Sequence, residues 1–158
     1  MKKIVFGLLI LTLAFVSCKK DKTDTGKEAF IDSLMTEMTL EEKIGQMTLL
    51  TSNWSKTGPT VRDDYMELIK SGKCGNLFNA HTVEFNRKVQ KVAVEETRLG
   101  IPLLFGYDII HGYKTIFPIP LAESSTWEPE LIKESAKLAS KEAAAGGITW
   151  TFNPMVDI

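Results

Sequence analysis

Cysteine and histidine are nearly missing from these 158 residues, with two of each. His81 and His111 lie far apart with a single cysteine, Cys74, in the same region, so a zinc-type cluster has no ligand set to assemble, and no metal or cofactor is expected. Charge of one sign is lacking too. With 19 basic and 20 acidic residues the net charge is −1, which leaves no basic stripe for nucleic acid and no single-sign field for steering a charged partner. A neutral ligand is compatible with that balance. The Gly-Lys-Ser/Thr ending of a phosphate loop is absent, since Gly112-Tyr113-Lys114 does not supply it. The longest apolar run, Ile4 to Val16, falls short of the roughly 20 residues needed to span a bilayer. Internal repeats are absent.

What is present has ordinary globular proportions, 44% hydrophobic and 25% charged. Lys2-Lys3, the apolar run and then Ser17-Cys18 read as a signal peptide. Phe15-Val16-Ser17-Cys18 resembles a bacterial lipobox, so residues 1–18 are read as a lipoprotein-type signal peptide with Cys18 the lipidated residue. Phe15 replaces the more usual leucine there. The polar stretch from Lys19 reads as a tether over 19–28, with 29–158 globular. Export to the periplasm or outer membrane follows, with membrane contact only through the anchor. A lipidated Cys18 leaves Cys74 alone, expected as a small buried residue.

The globular part alternates helical and extended signals. Phe30, Leu34 and Met38 recur every four residues and predict a helix ending near Met38. Thr39-Leu40-Glu41-Glu42 has capping-box form and predicts a second helix from Leu40, with Ile44 and Met47 as its buried face. Tyr65, Leu68 and Ile69 mark a third, closed by Gly72. Gly75–Asn79 is the first expected strand. After a helix with Phe85, Val89, Val92 and Ala93 on one face, Ile101–Tyr107 reads as a strand buried on both sides. Pro118 and Pro120 exclude a regular helix, and Thr126 is expected to cap one carrying Pro129 in its first turn. Its mostly apolar side is Leu131, Ile132, Ser135, Leu138, Ala139 and Glu142. Ile148–Phe152 alternates as a third strand. Three strands separated by helices imply parallel pairing, an α/β fold. An eight-unit barrel takes about 250 residues, so these three strands are expected to be either a piece of something longer or a smaller open sheet.

In parallel α/β folds reactive groups sit where strands end, and these strands run into Asn79, Asp108 and Asp157. An amide and two carboxylates there suit the hydroxyls of a polar, uncharged ligand, although Asp and Asn also serve turns and caps. His111, past the second strand end, is expected in loop packing or hydrogen bonding rather than catalysis. Trp54, in a polar loop, is a further candidate for stacking on a sugar.

The stretch Gly106-Tyr107-Asp108-Ile109-Ile110-His111-Gly112-Tyr113-Lys114, continued by Thr115 to Leu121, resembles the second-strand motif of glycoside hydrolase family 3. Thr39 to Met47 is similar to that family's opening helix, and Trp150 to Asp157 to its third strand. The resemblance covers roughly Ala29 to Ile158. It implies a (β/α)8 barrel domain, of which this chain is the N-terminal part with about three strand-helix units, followed by a second α/β domain, and retaining hydrolysis of terminal β-D-glucosyl or xylosyl residues from a neutral β-linked oligosaccharide or glycoside. It also implies that Asp108 holds hydroxyls of the sugar in the cleaved-unit subsite. Retention needs two carboxyl groups about 5 Å apart, and the family places nucleophile and acid/base beyond residue 158, so this piece by itself is expected to be inactive. Members acting on N-acetylglucosaminides show Asp-Gln-Glu-Gly-Gly-Arg at this strand end, which differs from Asp108 to Tyr113 here. The competing expectation is a lipid-anchored carbohydrate-binding protein without activity, or a truncated gene product.

Overall fold

The computed structural model describes residues 25–52 and 64–154. It divides into two compact units, Met1–Glu37 and Met38–Ile158. In the first, α1 (Thr25–Glu37) is the helix that the spacing of Phe30 and Leu34 predicts.

The second unit alternates α2 (Leu40–Gln46), β1 (Leu49–Thr51), α3 (Tyr65–Lys70), β2 (Asn76–Phe78), α4 (Val83–Glu95), β3 (Leu104–Tyr107), α5 (Pro120–Ser124), α6 (Pro129–Ala145) and β4 (Trp150–Thr151). The strands form one sheet in chain order, and each neighbouring pair is parallel. Sequential parallel strands joined through helices build the wall of a (β/α)8 barrel, here as a four-strand arc. Four strands rather than three is a correction: β1 has three residues directly behind a helix, too short for alternation to register.

Leu50, Leu77 and Phe105 stand in register across β1, β2 and β3. They pack with Tyr65 and Ile69 of α3 and Val89, Val92 and Ala93 of α4, and Cys74 is buried with them as expected. The alternate residues Leu49, Leu104 and Trp150 keep 39%, 47% and 39% exposure. β3 is therefore covered on one face, where its apolar run predicts burial on both, because the described helices pack on one side of the sheet. A smaller cluster joins Ile109 to Ala143 and Ile148.

Three further expectations fail for identifiable reasons. Ile44 and Met47 are exposed, and the buried position of α2 is Gly45. The helix docks by its residue without a side chain, which leaves its apolar side facing away. Pro120 opens the short helix α5, since a proline at the first helical position costs no hydrogen bond. Thr126 accepts from the Glu128 amide at 3.2 Å, but the N-cap of α6 is Glu128 without a side-chain cap. On the expected side of α6, Ala139 is buried and Ile132, Ser135 and Glu142 are half-buried, whereas Leu131 and Leu138 are exposed and Ala143 is buried in addition.

The capping box forms as its sequence dictates: Thr39 N donates to Glu42 Oε2 at 2.8 Å, and Glu42 N to Thr39 Oγ1 at 3.2 Å. Arg98 grips the same carboxylate with both arms of its fork, Nε to Oε1 at 3.0 Å and a terminal nitrogen to Oε2 at 2.6 Å. One side chain thus ties the start of α2 to the turn between α4 and β3. Arg98, followed by the Thr39 amide, lowers the Glu42 pKa from 4.5 to about 2. A depressed carboxylate stabilises the fold above its unfolded value and loses that contribution as pH falls through its folded value. The Tm advantage of the wild type over Glu42→Gln is expected to be full above pH 4.5 and to vanish as the pH approaches 2. Thermal melts across that range check it, and a constant difference would reject the assignment.

Candidate functional site

Each parallel strand of the sheet ends in a short polar residue: Ser52 after β1, Asn79 after β2, Asp108 after β3 and, two positions past β4, Asn153. Ser52 N donates to Phe78 O at 3.1 Å and Asn79 N to Gly106 O at 3.3 Å, so the ladder runs one step into these ends. Asn79 is buried in a left-handed conformation, φ 65°, which asparagine tolerates better than most residues. Its carbonyl faces His81 Nδ1 at 3.2 Å. Ser52 is fully buried, and its hydroxyl has no partner among the described residues.

Asp108 is exposed, and among the described residues no hydrogen bond or ion pair engages its carboxylate. The next residue, Ile109, is 1% exposed and packs against Ala143 and Ile148. The backbone therefore parts the two side chains, apolar into the helix layer and acidic toward solvent. By strand alternation Asp108 continues the face of Gly106, whose register partners are Phe78 and Trp150. The Phe152 ring packs on Phe78 at 5.4 Å and on Trp150 at 5.0 Å. Gly106 permits this, because a Cβ there would lie 2.9 Å from the Phe152 ring. A carboxylate at the end of a face floored by aromatic rings is chemically suited to a neutral polyol: hydroxyls to the acid, C–H surface to the rings.

Asn153 Nδ2 donates to Ile109 O at 3.0 Å, and Asn153 Oδ1 accepts from Thr151 Oγ1 at 2.8 Å. This amide braces the Asp108 strand end from the neighbouring strand. Past Asp108 the chain folds on itself: Phe117 N donates to His111 O at 2.8 Å, and Gly112 bridges to Ile116. Gly112 has φ 110° and a Cβ there would sit 2.0 Å from Thr115 O, so the turn requires glycine.

A scan against protein-family profiles matches residues 39–158 to the glycosyl hydrolase family 3 N terminal domain. The chain belongs to glycosyl hydrolase family 3. A periplasmic beta-glucosidase of Salmonella typhimurium is 35% identical over 136 residues, 86% of this chain and 17% of that protein. A putative beta-xylosidase of Formosa agariphila is 27% identical across the whole chain, which matches 24% of it. Among solved structures, the beta-glucosidase of Listeria innocua in complex with isofagomine superposes with a TM-score of 0.71 at 35% identity, covering 82% of this chain and 18% of that one. The chain thus spans about a fifth of the length of these relatives, in the part that family 3 proteins use for their N-terminal domain.

Within this family 3 domain, Asp108 and Asn79 stand at adjacent strand ends, while Asp157, Trp54 and Cys18 lie outside the described residues. The ring of His111 is exposed and unengaged among the described residues; only its carbonyl is used. Sequence reasoning missed Ser52 and Asn153. Asn153 carried a signal, the first polar residue after the alternation of β4, whereas Ser52 follows a strand too short to recognise. A half-open pocket of about 200 Å³ lies at the opposite end of the strands, beside Cys74 and Leu103, and none of the candidate residues lines it.

Proposed function

We propose that this family 3 chain forms part of an exported enzyme that hydrolyses terminal β-D-glucosyl or xylosyl residues with retention, and that Asp108 holds hydroxyls of the sugar undergoing cleavage. The single observation that carries this reading is the Asp108 carboxylate, exposed at the C-terminal end of β3 and engaged by no protein group among the described residues. A carboxylate in that state is available for vicinal hydroxyls, each bond being charge-assisted. The names of the relatives support the substrate class: beta-glucosidases and beta-xylosidases recur among them, and a Listeria innocua beta-glucosidase has been crystallised with laminaribiose. Asn79 is one strand away, which makes it a secondary contact in the same reading, and Asp157, outside the described residues, is proposed as another from its place after β4 in the sequence. The nucleophile and the acid/base, about 5 Å apart in a retaining site, come from segments that follow residue 158 in the complete gene product.

The experiment is hydrolysis of a chromogenic β-glucoside and β-xyloside by the complete gene product, with Asp108→Ala alongside. Binding of glucose without turnover would replace the reading by a non-catalytic carbohydrate-binding protein. Turnover undiminished in the variant would remove Asp108 from the site.

Export rests on the Lys2-Lys3 start, the apolar run and the Ser17-Cys18 junction, and the anchor on Cys18 itself. Fractionated cells are expected to hold the wild type with membranes and Cys18→Ser in soluble form or unprocessed. Equal membrane retention of processed Cys18→Ser would exclude the lipid anchor.

A further inference from the structure

Glu142 is a charged residue late in α6, one turn after the buried Ala139 and directly before the buried Ala143. Its carboxylate accepts three hydrogen bonds from one stretch of loop: Lys114 N at 2.9 Å and Thr115 N at 2.8 Å reach Oε2, and Thr115 Oγ1 reaches Oε1 at 3.0 Å. Two consecutive amides aimed at one oxygen form an anion cradle. The Thr115 amide foremost, and the Lys114 amide with it, hold the Glu142 carboxyl below the ordinary carboxylate range, so it is ionised at neutral pH.

The loop gripped in this way is the one that begins at Asp108. A carboxylate with no protein hydrogen bond of its own can be oriented only through its backbone. That backbone is held at two places by one turn of α6: Ile109 packs against Ala143, and Lys114-Thr115 hang from Glu142. Between them the Tyr113 hydroxyl donates to His81 O, and the Tyr113 ring packs edge-on against Tyr107 at 5.5 Å. Nothing in this arrangement brings the Glu142 carboxylate itself to the aromatic face below Asp108.

We propose that Glu142 is a positioning residue for Asp108: by accepting Lys114 N, Thr115 N and Thr115 Oγ1 it fixes the loop whose first residue binds the sugar. This rests on the sugar-binding reading of Asp108. A displaced binding group costs rate rather than fold, since an error of about 1 Å in a site can lower turnover by roughly 100-fold.

The test is a double-mutant cycle in the complete gene product, reading kcat/KM for an aryl β-glucoside in the wild type, Glu142→Ala, Asp108→Ala and the double variant. Glu142→Ala is expected to lower kcat/KM roughly 10- to 100-fold in the wild-type background and by less than about twofold when Asp108 is already alanine. Amide exchange over residues 108–117 is expected to quicken in Glu142→Ala at temperatures where the protein remains folded. Equal losses in both backgrounds would overturn the proposal, because a merely structural role does not depend on Asp108. No loss in the single variant would overturn it as well. An undiminished Asp108→Ala would instead reject the sugar-binding reading, and this inference with it, a result distinct from the other two. Should Glu142→Ala fail to fold, Glu142→Gln and Thr115→Val take its place in the same cycle, since each weakens the cradle while keeping side-chain volume.

Discussion

Asp108→Ala in the complete gene product is expected to lower kcat/KM for an aryl β-glucoside by roughly two to four orders of magnitude while leaving Tm nearly unchanged. The size follows from the chemistry proposed for the residue. A carboxylate accepting from two vicinal hydroxyls makes two charge-assisted bonds, each contributing about 1.5–3 kcal/mol, and every 1.36 kcal/mol is a factor of about ten in rate. The unchanged Tm follows from structure: the Asp108 side chain is exposed and supports no hydrogen bond or ion pair among the described residues, so its removal leaves nothing unpaired. Asp108→Asn keeps the shape and loses the charge, and is expected to fall between the two. Steady-state kinetics with a matched thermal melt decides the matter. A large loss of Tm would reassign Asp108 to structure, and a rate within about threefold of wild type would take it out of the sugar site.

Gly45→Ala is expected to destabilise the fold by about 3 kcal/mol, although alanine is the better helix former by about 1 kcal/mol. The contact decides the sign. A Cβ at Gly45 would lie 2.0 Å from Gly72 O and 2.8 Å from Lys73 Cα, all backbone, with no flexible side chain to yield. The Gly45 carbonyl also accepts from Gly75 N at 2.8 Å, directly ahead of β2, so α2 cannot retreat without breaking the bond that seats it. Urea unfolding of wild type and variant measures the difference. Equal or greater stability in the variant would show that α2 slides freely over the Gly72 turn.

The comparison with family 3 relatives sharpens why both substitutions are informative. Gly45 and Asp108 both lie in the matched span 39–158, one where α2 seats against the turn before β2 and one at the opposite, C-terminal end of the strands. In a barrel wall those two ends carry different duties, stability at the entry of the strands and chemistry at their exit. The expected results divide the same way, a loss of stability for Gly45→Ala and a loss of rate for Asp108→Ala.

Local chemistry was sufficient for several features. Thr39 and Glu42 form the capping box that their spacing specifies, Gly72 takes the left-handed φ of 73° that ends α3, and the apolar run before Asp108 becomes β3. In each case the deciding forces act within a few residues: a hydroxyl reaching an amide three positions on, a missing Cβ, a hydrophobic run bounded by turn residues. The placement of Asp108 at a strand end was legible for the same reason. Family membership was legible because three motifs stood in order, and the α/β class because strands and helices alternate along the chain.

Distance along the chain is what hid the rest. That α2 docks by Gly45 and leaves Ile44 and Met47 outside depends on a turn at Gly72 that α2 cannot anticipate. That β3 keeps Leu104 half exposed depends on which face of the sheet the helices cover. Arg98 on Glu42, Asn153 on Ile109 and Glu142 on Lys114-Thr115 are each a polar pair joined across long stretches of chain. The sequence alone determined which residues carry charge at which strand ends, because that is written within one strand and its turn. Only the tertiary structure decided what holds those residues in place, because a hydrogen bond between distant segments exists only once the packing of the core has brought them together.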